Sequence, residues 1–229
     1  MKPRSEKAPM DPISDQHESL PHANARLMVA ADSFEECANH AATAGLLAQL
    51  WITELDQETL QQLQSDSLGE AYESVGGFVP TGEPSDEDSL LEELAIEFCQ
   101  CFLGPKGHLP PHQSVVDHSR FQGDCLGSMK QYVDIIGDPE AMFGEQRMRD
   151  HAGVQLHLLQ RIFNALADEG LSEENRLALM QLKVDYARDH LAWIVDYCIV
   201  AGSKTPSQFY GALFNVTSSW LNNVIFSRP

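Results

Sequence analysis

The sequence is poor in basic residues, and this shortage limits the classes of partner it suits. Only 15 Lys and Arg stand against 34 Asp and Glu, which gives a formal net charge of −19. Nucleic-acid binding depends on Lys and Arg that neutralise phosphates, and attraction to anionic membrane surfaces depends on the same side chains. The charge therefore argues against nucleic acid and anionic membranes as partners. It suits a basic partner, or it only keeps the protein soluble.

A cysteine framework, an N-terminal signal peptide and a membrane span are also missing. The five cysteines are an odd number without the spacing of a disulfide scaffold, which indicates a reducing compartment. No basic region is followed by an apolar region near the N-terminus, and no apolar run approaches the roughly 20 residues of a transmembrane helix. We therefore expect a cytoplasmic protein without stable membrane insertion.

Motifs of nucleotide-dependent enzymes and of serine hydrolases are absent, since there is no P-loop, no G-x-G-x-x-G and no G-x-S-x-G. One cluster of metal-ligand types occurs in the sequence, namely Cys99, Cys101, His108, His112 and His118. Its spacing differs from the zinc pattern, and free cysteines also behave as small apolar core residues. We expect no enzyme activity and no cofactor, with a metal-dependent enzyme that uses the His-rich loop as an alternative.

The chain divides into an N-terminal tail, residues 1–24, and a helical domain, residues 25–229. The tail holds prolines and charges without a periodic apolar pattern, so we expect it to be disordered. The stretch "AATAGLLAQLWITEL" places Leu46, Leu47, Leu50 and Trp51 on one helical face. No alternating pattern typical of a strand appears. The predicted fold class is all-α, a compact bundle of about eight to eleven helices.

Capping residues locate several of these helices. The amphipathic stretch 150–170 begins at Asp150, a candidate N-cap, and ends at Gly170. Ser172 is a candidate cap for the following long helix. A further helix is predicted over residues 125–136, and a last one starts near Pro206.

The segment "LGPKGHLPPHQSV", residues 103–115, interrupts the helical pattern with a long loop. Gly104 and Pro105 end the preceding helix, and Pro110 and Pro111 stiffen the loop. Connections in compact domains are usually about 4–6 residues, so a loop of this length and stiffness needs a function. A fixed loop loses less entropy when it binds a ligand. The alternative is that the loop only turns the chain between two helices.

The order of several segments resembles the TorD/DmsD/NarJ family of cytoplasmic redox enzyme maturation chaperones. "EFCQCFLGP", "LPPHQSV", "DHAGVQLHLL", "DHLAWIVDY" and "SQFYGALF" follow the family series "Y-x-x-L-F-x-G-P", "P-P-Y-E-S-V", "D-H-x-x-x-E-L", "H-L-x-x-W" and "F-Y-x-x-L". The resemblance spans roughly residues 40–226. Gln113 and Gln155 stand where the family series has Glu, and His112 stands where it has Tyr.

The resemblance implies a helical chaperone without catalytic activity. Its partner would be the catalytic subunit of a molybdenum-cofactor oxidoreductase, bound through its twin-arginine signal peptide until the cofactor is inserted. A NarJ-like chaperone for a non-exported molybdoenzyme is the alternative within the family, and the chain would be a monomer or a homodimer. The expected peptide site is a groove beside the loop, with Asp150 meeting a peptide arginine. Its candidate residues are Phe98, Phe102, Gly104, Pro105, Pro110, Pro111, Ser114, Asp150 and His151.

Overall fold

A computed structural model describes residues 32–81, 87–103, 110–119, 121, 123–137 and 148–226. Over these residues the chain is 77% helical, with ten α-helices and no strand, which confirms the all-α prediction. The predicted tail, residues 1–24, lies outside the described residues, so the predicted domain boundary stays a prediction.

Ten α-helices lie in the described part of the chain. In chain order they are α1 (Phe34–Ile52), α2 (Gln57–Leu63), α3 (Asp66–Ser74), α4 (Glu87–Phe98), α5 (Gln113–His118), α6 (Cys125–Ile136), α7 (Ala152–Leu166), α8 (Glu173–His190), α9 (Ala192–Gly202) and α10 (Gln208–Trp220). Two of them continue as π-helical segments, α4 through Cys99–Leu103 and α10 through Leu221–Phe226.

The observed N-cap residues confirm one of the predicted helix caps and contradict the other. Ser172 caps α8 as predicted, because its hydroxyl accepts a hydrogen bond from the Asn175 N–H at 3.3 Å. The N-cap of α7 is His151, whose Nδ1 accepts from the Gly153 N–H at 3.1 Å. The prediction that Asp150 caps this helix is therefore wrong. The Asp150 side chain turns instead to residues far away in sequence.

Helices α1 and α7 pack along their length and form the centre of the core. Leu47, Leu50 and Trp51 are buried as the sequence pattern predicted, while Leu46 is only partly buried. Gly153 permits the close approach, because a Cβ at this position would lie 2.9 Å from the Ala48 carbonyl oxygen. A glycine at the first turn of α7 thus lets the two backbones meet.

The paired cysteines after α4 have different environments. The Cys99 thiol is exposed and donates to the Glu54 carboxylate at 3.7 Å, whereas the half-buried Cys101 thiol lies 3.1 Å from the Thr205 hydroxyl. The alternative interpretation of these cysteines as small apolar core residues is therefore wrong for Cys99. Within the described residues, no group of three or more His, Cys, Asp or Glu side chains has the geometry to hold a metal ion.

Candidate functional site

The loop that precedes α5 is joined to the start of α7 by main-chain hydrogen bonds. The Gln113 N–H donates to the Asp150 carbonyl at 2.9 Å, and the Ala152 N–H donates to the Pro111 carbonyl at 2.8 Å. The two family-like segments "LPPHQSV" and "DHAGVQL" therefore meet side by side. Around this contact lies a set of polar side chains that we call the polar junction: His112, Gln113, Ser114, Asp150, Gln155 and His190.

Asp150 is the charged centre of the polar junction and has no exposed surface. Its carboxylate accepts from the Ser114 hydroxyl, from the Ser114 N–H at 3.2 Å and from His112 Nδ1 at 3.1 Å. Burial alone would raise its pKa, but the hydrogen bonds from His112 and Ser114 outweigh burial and hold the pKa below its usual range. The carboxylate is thus occupied by the protein's own donors and is not presented to an incoming arginine.

Two buried amides continue the polar junction toward α8 and α9. Gln155 accepts from the indole N–H of Trp193 at 2.8 Å and donates to Gln113 Oε1 at 2.8 Å. Gln113 in turn donates to the Asp189 carbonyl at 2.9 Å. Each amide donates and accepts, so both orientations are fixed by their partners. A Glu at position 113, as in the family series, would lack the donor that the Asp189 carbonyl receives here.

His190 completes the polar junction as a buried neutral imidazole. Its Nδ1 lies 2.9 Å from Gln113 Oε1, which only accepts, and its Nε2 lies 3.0 Å from the Ser128 hydroxyl. Nδ1 therefore carries the proton, and Nε2 accepts from Ser128. Burial lowers the pKa of His190 to about 4, against an opposing contribution from the neighbouring Asp189 carboxylate.

Because His190 is neutral in the folded protein, we expect the protein to lose stability in mild acid. The unfolded chain binds a proton at His190 below its ordinary pKa of about 6.5, and the folded chain does so only near 4. The folded protein therefore keeps its full stability relative to the unfolded chain above about pH 6.5, and it loses stability as the pH falls toward 4. Between pH 7 and pH 5 we expect His190 to account for a loss of about 2 kcal/mol. Urea unfolding at both pH values measures it.

The control for this prediction is the His190→Gln variant, whose side chain does not titrate. The fall in unfolding free energy between pH 7 and pH 5 should be smaller in this variant than in the wild type, because the other histidines contribute equally to both. An identical fall in the two proteins would show that His190 is not held neutral by its burial.

Phe98 and Phe102 lie in an aromatic cluster of the core and not on a surface groove. Only 4% and 3% of these residues are exposed. The Phe102 ring centroid is 4.9 Å from Phe98, 5.6 Å from Trp51 and 5.6 Å from Tyr210. The expectation that both rings wall a groove is therefore wrong, because α4 and its π-helical extension turn these rings inward.

The remaining candidate residues belong to the polar junction or border it. Pro111, Ser114 and His151 are buried, and Pro110 is partly exposed. Gly104 and Pro105 lie outside the described residues, so their part in a site stays a prediction.

A wide groove lies elsewhere, between α1, α3 and the C-terminal helical segment. It encloses about 630 Å³, within the range of about 300–1,000 Å³ typical of ligand sites. None of the candidate residues lines it. The sequence signal for its α3 wall is the set Leu68, Ala71, Tyr72 and Val75, which has the i, i+3, i+4, i+7 spacing of an apolar helical face.

The all-helical fold, with the loop before α5 joined to the start of α7 by hydrogen bonds, agrees with a match to one known family. Residues 54–199 match the family described as nitrate reductase delta subunit. This stretch contains four of the segments that carry the resemblance, from "EFCQCFLGP" to "DHLAWIVDY". Comparisons with curated proteins and with solved structures gave no match.

The matched stretch covers more than half of the chain, and the protein belongs to the nitrate reductase delta subunit family, the NarJ/NarW family of TorD-type chaperones. This is a family of molybdoenzyme assembly chaperones that act with molybdoenzyme catalytic subunits. Among the helices of the described part of the chain, none is both long and apolar enough to cross a bilayer.

Proposed function

We propose that the protein is a cytoplasmic chaperone that binds the twin-arginine signal peptide of a molybdoenzyme and holds the apo-enzyme until its cofactor is inserted. The observation that carries the signal-peptide part is the distribution of charge. Residues 27–105 contain sixteen acidic residues and neither Lys nor Arg. This third of the chain therefore carries −16 of the net charge of −19, and it suits a ligand that begins with arginines.

The binding free energy of such a ligand has two contributions, charge pairing and apolar burial. An exposed Arg–carboxylate pair contributes only about 0.2–1 kcal/mol, whereas burial of one large apolar side chain contributes about 1.5–3 kcal/mol. The acidic surface would attract and orient the basic end of the peptide. The apolar stretch that follows the arginines would supply most of the affinity, so the protein needs an apolar surface close to its acids.

The polar junction has a supporting role in this proposal. Its hydrogen bonds join α5, the start of α7, α8 and α9, so it holds the loop before α5 against the core. We propose that the protein is not an enzyme, because the family to which it belongs is one of assembly chaperones. Of the expected peptide contacts, Gly104, Pro105 and the partly exposed Pro110 remain proposed contacts.

A second candidate is an assembly chaperone for a molybdoenzyme that is not exported. The observation that favours it is the description of the matched family as nitrate reductase delta subunit. Such a client would present an N-terminal segment without paired arginines. The two candidates therefore differ in the sequence that the chaperone recognises, and the fold is common to both.

Capture of the client tests the proposal. The full chain is used as bait in the native cytoplasm at low and at high salt, and the captured proteins are identified by mass spectrometry. We expect the cofactor-free catalytic subunit of a molybdoenzyme that still carries its paired arginines, with recovery that falls at high salt. Recovery of a client without paired arginines supports the second candidate. Absence of any molybdoenzyme subunit from the capture contradicts both.

A further inference from the structure

The groove between α1, α3 and the C-terminal segment leaves large apolar side chains open to solvent. Leu46 on α1, Leu68 and Val75 beside α3, and Trp220 and Val224 of the C-terminal segment line it. Val75 is 58% exposed and Trp220 is partly exposed. Large apolar side chains that gather in one open groove mark a surface that another chain, or another part of the same chain, would bury.

The chain enters α1 at a fixed point. Residues 25–31, "ARLMVAA", directly precede the first described residue, Asp32, and we call them the pre-helix segment. The Asp32 carboxylate pairs with Lys183 Nζ of α8 at 3.0 Å, and the Asp32 carbonyl accepts from Arg176 Nη2 of the same helix at 2.6 Å. The Lys183 side chain is only 8% exposed. These contacts hold the point from which the pre-helix segment leaves the body of the protein.

The groove lies within reach of this point. Ala42 and Thr43 are the first α1 residues that line it, and they follow Ser33 by about 14–15 Å along the helix axis. Leu27 comes five positions before Asp32, and five extended residues span up to about 17 Å. A segment tethered so close to a site has an effective concentration of about millimolar, so even a weak contact would be occupied.

The pre-helix segment is apolar like the groove and opposite to its surroundings in charge. Leu27, Met28 and Val29 are the only run of three large apolar residues before α1, and Arg26 accompanies them without any acid in the segment. The α1 and α3 walls belong to residues 27–105, which contain sixteen acidic residues and neither Lys nor Arg. The third wall belongs to residues 205–227, which contain no charged residue. An apolar run next to one cation therefore complements these walls.

We propose that the pre-helix segment folds back along α1 and places Leu27, Met28 and Val29 in this groove. In that position it covers the exposed apolar side chains of the free protein, and any partner that uses the groove must first displace it. The inference does not depend on the identity of the client. A second copy of the chain is a poorer occupant, because two molecules of charge −19 repel each other.

The first test changes the pre-helix segment and observes the groove. Met28→Asp places a charge in the proposed contact, and Met10→Asp makes the same substitution far from it in sequence. Acrylamide quenching of Trp220 fluorescence in the full chain reports how well the groove is covered. The other tryptophans, Trp51 and Trp193, are 0% and 7% exposed, and a Trp220→Phe variant identifies the Trp220 signal.

We expect Met28→Asp to empty the groove and to raise the quenching of Trp220 about twofold, because burial of one large apolar side chain shifts an equilibrium about tenfold or more. Met10→Asp should leave the quenching as it is in the wild type. The melting temperatures of both variants should stay near that of the wild type, since both positions precede the described helices.

The second test changes the groove and observes the pre-helix segment. Ala71→Arg places a long cation at an exposed lining position of α3, and Ala178→Arg makes the same substitution at an exposed position of α8. Thermolysin, which cuts before large apolar residues, is added to each full chain, and mass spectrometry follows cleavage before residues 27–29. Cleavage should be at least about tenfold faster in Ala71→Arg and within about twofold of the wild type in Ala178→Arg, because it depends on the population of undocked segment.

Four other outcomes overturn the proposal. Equal quenching of Trp220 in the wild type, Met28→Asp and Met10→Asp would show that the segment does not cover the groove. Equal cleavage in the wild type, Ala71→Arg and Ala178→Arg would show that the groove does not protect the segment. Effects that depend on protein concentration would place the segment in the groove of a second copy. If only an added client shielded Trp220 and the segment variants changed nothing, the groove would belong to the client.

Discussion

Replacing Asp150 with Asn is expected to lower the free energy of unfolding by about 2–4 kcal/mol. The carboxylate is fully buried and accepts hydrogen bonds from four donors, two on Ser114 and one each on His112 and Cys125. Asn replaces one oxygen with an NH₂ group, which would face a donor, and it removes the negative charge that strengthens the remaining bonds. Chemical denaturation of the full chain at pH 7 measures the loss.

The matched control is Asp134→Asn, which removes the same charge from the surface. The Asp134 side chain is 60% exposed and pairs with Lys130 one turn away at 2.6 Å, so its replacement should cost less than about 1 kcal/mol. If Asp150→Asn were as stable as this control and bound the signal peptide more weakly, Asp150 would be a ligand contact and not a structural acceptor.

Replacing Phe102 with Ala should cost about 3–5 kcal/mol of unfolding free energy, the usual loss for a buried aromatic residue. Its ring is 3% exposed and contacts Phe98, Trp51, Tyr210 and Phe214. The effect should be confined to stability. The affinity of the folded fraction for a twin-arginine peptide should stay within about twofold of the wild type, because the ring has no surface to offer a ligand.

Ile96→Ala serves as the control in α4, the helix that continues into the π-helical segment with Phe102. Ile96 is 51% exposed, so its truncation should change stability by no more than about 0.5 kcal/mol. Urea unfolding and peptide titration are carried out on both variants at a temperature where each is folded. A Phe102→Ala protein that keeps wild-type stability and loses its affinity would place the peptide against this ring and would contradict the core assignment.

Local signals in the sequence predict several helices well. The bounds of α6 agree with the predicted residues 125–136, because Gly137 adopts a positive φ of 105° that ends the helix. Ser172 is found at the predicted cap, since a cap acts over three residues of sequence. The apolar spacing in α1 likewise identifies Leu47, Leu50 and Trp51 as core residues.

Contacts between distant residues could not be predicted in the same way. Asp150 has the residue type of an N-cap, but its carboxylate is used by Ser114, which lies 36 positions earlier, and His151 takes over the cap. Aromatic residues suit a core and a ligand groove equally, so sequence alone did not decide the place of Phe98 and Phe102. Burial in the folded chain decides it.

The groove could not be predicted from the sequence either, because it forms only where three helical segments pack together. Leu46, Ala71 and Trp220 lie on its three walls and belong to helices that no sequence spacing connects. Two of these walls, at residues 42–47 and 216–224, also lie outside the stretch 54–199 that matches the family. The family match therefore identifies the class of chaperone, while the groove depends on parts of this chain that the match does not reach.

Calorimetry of the full chain with a matched pair of peptides tests the central claim most directly. One peptide has two arginines before a leucine- and alanine-rich stretch, and the other has two glutamines in their place. With about 0.2–1 kcal/mol for each arginine, the account predicts that the arginine peptide binds about 2- to 30-fold more tightly at low salt. It also predicts that added salt reduces this difference. Failure of the arginine peptide to bind, or equal affinity for both peptides at low salt, would contradict the assignment as a twin-arginine signal-peptide chaperone.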